Sequence, residues 1–148
     1  MPTTFVPAAA SDVDLVLAFM AGLYHPIHWD EARARQALHD LLAHPESGGT
    51  WLIHAEGQPV GYLVLTICYS LEFHGRFVLL DELFVAEPYR GRGIGAQALA
   101  FAGEFCRIQG LRAIRLETAW QNSRAIELYR RAGFEVDPRH LMTRWIER

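Results

Sequence analysis

Residues 78–104 read VLLDELFVAEPYRGRGIGAQALAFAGE, and the fold follows from how this stretch is parsed. Leu79, Leu80, Leu83, Phe84 and Val85 are apolar and partly β-branched, the composition of a buried strand. Pro88 ends that strand, since it has no N–H to give to a ladder. Arg90, Gly91, Arg92, Gly93, Ile94 and Gly95 then form a glycine-rich turn, and a helical pattern runs from Ala96. Alternating glycines leave backbone N–H groups facing outward with no Cβ in the way. A helix N-terminus adds unpaired N–H groups and partial positive charge. Together these predict an anion site, with phosphate the natural anion and two arginines suited to a pyrophosphate.

Three phosphate ligands compete for the loop. A P-loop fits poorly, because no Lys-Ser or Lys-Thr follows the glycines. Gly91, Gly93 and Ala96 satisfy the dinucleotide pattern G-x-G-x-x-A, with Glu117 further on near the end of a second strand. A nicotinamide-binding oxidoreductase is therefore one alternative, although only about one strand–helix–strand unit surrounds the motif. The third reading fits better. Arg90-x-x-Gly93-x-Gly95 after an apolar strand resembles the pyrophosphate loop of the GCN5-related N-acetyltransferases (GNAT family), which bind acetyl-coenzyme A. Residues 116–134, LETAWQNSRAIELYRRAGF, resemble the same family: a strand, an asparagine, Ala-x-x-Leu-Tyr, then Gly-Phe. Both patches come in the family's order and spacing. The resemblance covers residues 50–146 well and the first helices poorly.

The resemblance implies a mixed α/β fold in one N-acetyltransferase domain spanning residues 1–148. Its central sheet is mostly antiparallel, flanked by helices, with one splayed parallel strand pair. Leu83, Phe84 and Val85 would offer backbone groups to the pantetheine arm. Arg90, Gly91, Arg92, Gly93, Ile94, Gly95 and Ala96 would hold the pyrophosphate. Asn122 would contact the cofactor near its thioester, and Tyr129 would protonate the leaving thiolate. The implied activity is direct transfer of acetyl from acetyl-CoA to a primary amine in a ternary complex, without a metal. A non-catalytic acyl-CoA sensor is the alternative that keeps the phosphate loop and needs no acid.

The general base is less defined. Some family members use a glutamate in this strand, which points to Glu82; Asp81 lies beside it on the opposite face, and Glu72 in the preceding turn is a further candidate. The structural alternative for Glu82 is a pair with an arginine such as Arg76. The carboxylates of Glu72, Asp81 and Glu82 suggest a cationic acceptor, such as a polyamine, a peptide lysine side chain or a small amine. Tyr24, His28, Trp29 and Trp120 either line the acceptor mouth or pack their loops. His25 and His28 lack a firm third ligand, so no metal site is expected.

The remaining elements are read from periodicity and punctuation. Residues 3–7 form a short strand. Ser11 caps a helix over 12–23, and Asp30 caps a second over 31–43. Strands follow at 50–55, 60–69 and 78–85, the first two joined by a turn over residues 56–59. These three are antiparallel neighbours, because their connections are too short for crossovers. The helix after the loop stops at Gly110, and the strand at 111–117 must run parallel to 78–85 across that helical crossover. A helix from Asn122 or Ser123 ends at Gly133, and strands at 134–136 and 140–146 close the chain. The last strand could pair with a second copy by edge addition, a route to a homodimer.

Composition bounds the function. At 148 residues, with 51% apolar and 21% charged, the chain is a globular domain with a real core. A net charge of −3 speaks against nucleic acid binding through a basic field. No apolar run reaches membrane-spanning length, and the N-terminus lacks a signal-peptide pattern. Cys68 and Cys106 lie far apart in apolar runs, which fits reduced thiols and a cytoplasmic setting.

Overall fold

Alternation of side chains along the central strands sets the layers. In order, the elements are Thr4–Pro7 (β1), Val13–Leu23 (α1), Glu31–Ala43 (α2), Gly48–Ala55 (β2), Gln58–Ser70 (β3), Gly75–Val85 (β4), Ile94–Gln109 (α3), Ile114–Leu116 (β5) and Ser123–Arg131 (α4). They are seen in a computed structural model that describes residues 2–23 and 29–147. The strands form one sheet in the order β1-β2-β3-β4-β5. All neighbours are antiparallel except β4 and β5, which are parallel across α3, as the crossover requires.

Trp51, Leu63, Leu65, Val78 and Leu80 face α3 and meet Leu99, Ala102 and Cys106. Leu52, Tyr62 and Val64 face the other way, against Val13, Val16 and Leu17 of α1 and Leu38 of α2. Full burial of a leucine such as Leu99 contributes about 2 kcal/mol. Cys106 is buried, its thiol pKa raised by desolvation, and Cys68 is half-buried; both are free thiols. No helix among the described residues is long and apolar enough to cross a membrane.

Several boundaries differ from expectation. Ser11 is not the cap of α1. The chain enters through a 3₁₀ turn at Ala10–Asp12, and the Asp12 carboxylate accepts the Ala9 N–H at 2.8 Å. Asp30 does cap α2, accepting from the Arg33 N–H at 3.1 Å. The β2–β3 turn contracts to Glu56 and Gly57, with φ of 53° and 76°. Two left-handed residues match the twist of a hairpin, so Gln58 and Pro59 join the strand. β5 keeps only three residues.

The expected strands at 134–136 and 140–146 do not form. Pro138 has no N–H to give to a ladder, and its neighbours Asp137 and Arg139 are drawn into ion pairs with Arg115 and Glu72. Leu141, Met142, Trp145 and Ile146 are exposed.

Candidate functional site

The site is built where β4 outruns β5. The β4–β5 ladder pairs Val78, Leu79 and Leu80 with Ile114, Arg115 and Leu116 and ends there, while the β3–β4 ladder continues to Val85. The register explains the parting. Val64 pairs with Glu82 and Leu65 with Leu80, so Asp81 is an extra residue, a β-bulge. A bulge bends its strand and increases the twist, which carries β4 away from a neighbour with no matching bulge. A pocket of about 130 Å³ lies at the fork, lined by Leu79, Leu80, Asp81 and Glu117. Beyond it, Leu83, Phe84 and Val85 have no β5 partner; the Phe84 carbonyl faces Gly61 of β3, and the Val85 carbonyl accepts from Arg90.

β4 runs through a short turn at Glu87–Tyr89 into the glycine-rich loop and α3. Gly91 and Gly93 have φ of 75° and 81°, the left-handed region where other residues are strained, and a Cβ on either would meet open space. Gly93 is the N-cap of α3, no side chain caps it among the described residues, and no acidic residue sits in the first turn. The first intrahelical bond runs from the Gln97 N–H to the Gly93 carbonyl. The N–H groups of Ile94, Gly95 and Ala96 therefore have no acceptor within the helix. Gly95 has a different use: its Cβ would lie 3.1 Å from Leu128 Cδ2, so it admits α4 beside α3.

The two arginines brace the loop. Arg90 Nε donates to the Val85 carbonyl at 2.7 Å, and its guanidinium lies 5.5 Å from the Phe84 ring centre. Arg92 donates to Glu56 Oε1 at 2.9 Å and lies over Tyr89 at 5.1 Å. The Arg92–Glu56 ion pair is exposed and worth little to stability. Each guanidinium retains further N–H donors. A strand margin, left-handed glycines, a helix start with no side-chain cap among the described residues and two cations together fit a long ligand with a diphosphate.

Asn122 and Tyr129 belong to α4. Asn122 Oδ1 accepts the Ala125 N–H at 3.1 Å, which makes it the helix N-cap and leaves its amide NH₂ as a donor. Asn122→Ala should cost about 1 kcal/mol, read as a melting temperature lower by about 2–4 °C. Tyr129 is half-buried, in edge contact with Phe134 at 5.9 Å. Burial pushes its phenol pKa up, so it keeps its proton at neutral pH. Tyr129 also lines a cleft of about 680 Å³ with Arg115, Thr118, Trp120 and His140.

The carboxylates separate. Glu82 is buried, and Tyr62 donates to its Oε1 at 2.6 Å, so the pairing found is with Tyr62 rather than Arg76. Asp81 keeps an exposed surface, although the atoms around it desolvate its carboxyl enough to raise the pKa. Glu72 lies at the far end of β4, roughly 20 Å from Glu82 at the usual rise of a strand. It accepts from Arg139 at 3.0 Å and Arg115 at 3.3 Å. The hydrogen bond from Arg139, with help from Arg115, holds its carboxyl below the ordinary range. Glu72 thus shares no site with Glu82. Trp29 packs half-buried on the α1–α2 cluster, whereas Tyr24, His25 and His28 lie outside the described residues. Among the described residues no group of three His, Cys, Asp or Glu is placed to hold a metal. Tyr62 was not visible as a site residue, since a tyrosine in an apolar strand reads as core.

The model of the acetyltransferase (GNAT) family matches residues 17–134. The chain belongs to that family. Among GNAT relatives, a thialysine N-epsilon-acetyltransferase of Bos taurus is 32% identical over 87 residues, covering 55% of this chain and 51% of that protein. The chain spans 40% and 51% of the lengths of the first two curated relatives. An integron cassette protein from the mobile metagenome of Cole Harbour Salt Marsh superposes with a TM-score of 0.85 at 32% identity, over 97% of this chain and 91% of that one. An aminoglycoside N-acetyltransferase determined in complex with CoA superposes with a TM-score of 0.81 over 98% of this chain and 95% of its own. At 17% identity it shares the fold.

Proposed function

We propose that the chain works as one acetyl-CoA-dependent N-acetyltransferase domain acting on a primary amine. The observation that carries this reading is the N-terminus of α3, which no side chain caps among the described residues, behind two left-handed glycines and beside the stretch of β4 that β5 does not pair. Backbone N–H groups from Gly91 to Ala96, with Arg90 and Arg92, bind the diphosphate. Leu83, Phe84 and Val85 take the pantetheine amides on the open strand margin, and Asn122 adds its NH₂ nearer the thioester. The CoA named with the aminoglycoside enzyme is consistent with this ligand.

The chemistry needs a neutral amine, a polarised carbonyl and a stabilised leaving group. Glu82 accepts one proton from the ammonium, and the nitrogen lone pair forms the C–N bond as the C–S bond breaks. The sulfur keeps the bonding pair, and Tyr129 protonates it. The second proton of the nitrogen and the one held by Glu82 pass to solvent, and Tyr129 takes one back from solvent, so one proton is released per turnover. A strand N–H beside the thioester oxygen stabilises developing negative charge. Holding two substrates together supplies much of the rate. Asp81 and Glu82 favour a cationic acceptor, and the name of the thialysine relative agrees with a small amine. A cytoplasmic setting belongs to the same reading; the edge-addition route to a homodimer does not, because residues 140–146 form no strand.

Calorimetry with acetyl-CoA and NADH, followed by thiol release across a panel of amines, tests it. Heat with acetyl-CoA and amine-dependent CoA release are expected. Tight NADH binding without heat from acetyl-CoA would point to an oxidoreductase; binding with no release for any amine would point to a sensor. Gly93→Ala should raise the KM for acetyl-CoA about tenfold, since the left-handed region costs a residue with a Cβ about 1–2 kcal/mol. Its kcat should change little.

A further inference from the structure

We infer that Tyr62 is a positioning residue for Glu82: its buried hydroxyl holds the carboxylate in the orientation in which it takes a proton from the acceptor amine. This rests on the acetyltransferase reading, with Glu82 as proton acceptor. Two features place the pair. The first is the bulge. Without Asp81 as an extra residue, alternation along β4 would turn Glu82 to the same side as Val78 and Leu80, into the apolar layer under α3. The bulge slips the phase by one, so Leu83 and Val85 return to the α3 side. Glu82 emerges on the α1–α2 side with Phe84, within reach of Tyr62.

The second feature is how firmly Tyr62 is held. It is fully buried, with Phe19 stacked at 6.3 Å and Phe84 tilted at 6.3 Å. Phe19 and Phe84 touch each other at 5.7 Å, which closes an aromatic triangle around the phenol. The hydroxyl donates to Glu82 Oε1 at 2.6 Å, within the range of hydrogen bonds to a charged acceptor. A glutamate has three side-chain torsions, and one anchored oxygen removes most of that freedom. The bond also gives the carboxylate a donor where burial alone would disfavour its charge.

Tyr62→Phe keeps the ring and removes the hydroxyl that donates to Glu82. It should lower kcat about tenfold, part of the roughly 100- to 10,000-fold that a positioned base supplies. The KM for acetyl-CoA should stay unchanged. In a Glu82→Gln background the same substitution should lower kcat by less than about twofold, because the group it positions is already lost. An equal loss in both backgrounds, or no loss in either, overturns the inference while leaving the acetyltransferase reading intact. Full activity of Glu82→Gln alone instead removes Glu82 as base, and the inference with it. High-resolution crystal structures of wild type and Tyr62→Phe give a readout independent of turnover. The Glu82 carboxylate should leave its position in the variant; a carboxylate that stays put overturns the inference whatever the kinetics.

Discussion

Tyr129→Phe should lower kcat about 100-fold, the lower end of what a positioned general acid supplies, with acetyl-CoA affinity unchanged. The variant keeps the ring and its edge contact with Phe134, so α4 should hold its place. What disappears is one O–H in a half-buried setting. Burial raises the phenol pKa, so in the wild type the proton stays on oxygen through neutral and mildly alkaline pH. A proton that stays put until a thiolate forms is what an acid for this step must have. Coenzyme A thiolate is already a fair leaving group, which sets the effect at the lower end. Steady-state thiol release and calorimetry on the same preparation separate turnover from binding. A kcat within about threefold of wild type would remove Tyr129 as the acid.

Gly61→Ala should be the most destabilising single methyl in the strands that carry the site. A Cβ there would stand 2.0 Å from the Phe84 carbonyl oxygen and 3.1 Å from the Val85 Cα. Both are backbone atoms of the partner strand, so no side chain can swing aside. Gly61 pairs with Val85, the last residue of β4 before the loop. Separating the strands at that point costs about 3 kcal/mol or more, read as a melting temperature lower by roughly 6–12 °C. Because Phe84 and Val85 form the proposed pantetheine margin, acetyl-CoA affinity should fall as well. Gly57→Ala is the control. Its φ is also positive, at 76°, but a Cβ there meets nothing within 4 Å. It should cost about 1–2 kcal/mol, with no change in cofactor affinity. Equal melting temperatures for the two variants would show that the close approach at Gly61 is tolerated.

Local chemistry accounts for what the chain of residues determined on its own. The strand, loop and helix of 78–104 could be read directly, because apolar clustering, Pro88 and spaced glycines act within a few residues. The crossover through α3 then required β4 and β5 to be parallel. Asp30 and Asn122 could be read as caps because a cap bonds an amide three residues away. The tertiary structure decided everything that depends on cross-strand register. It placed the bulge at Asp81, ended the β4–β5 ladder at Leu80, and turned Glu82 toward Tyr62. It drew Glu72 to Arg115 and Arg139 at the far end of the sheet. It also left residues 134–147 outside the sheet. A period-2 pattern records which residues alternate; one extra residue in a strand reverses every face beyond it, and only the partner strand reveals that residue.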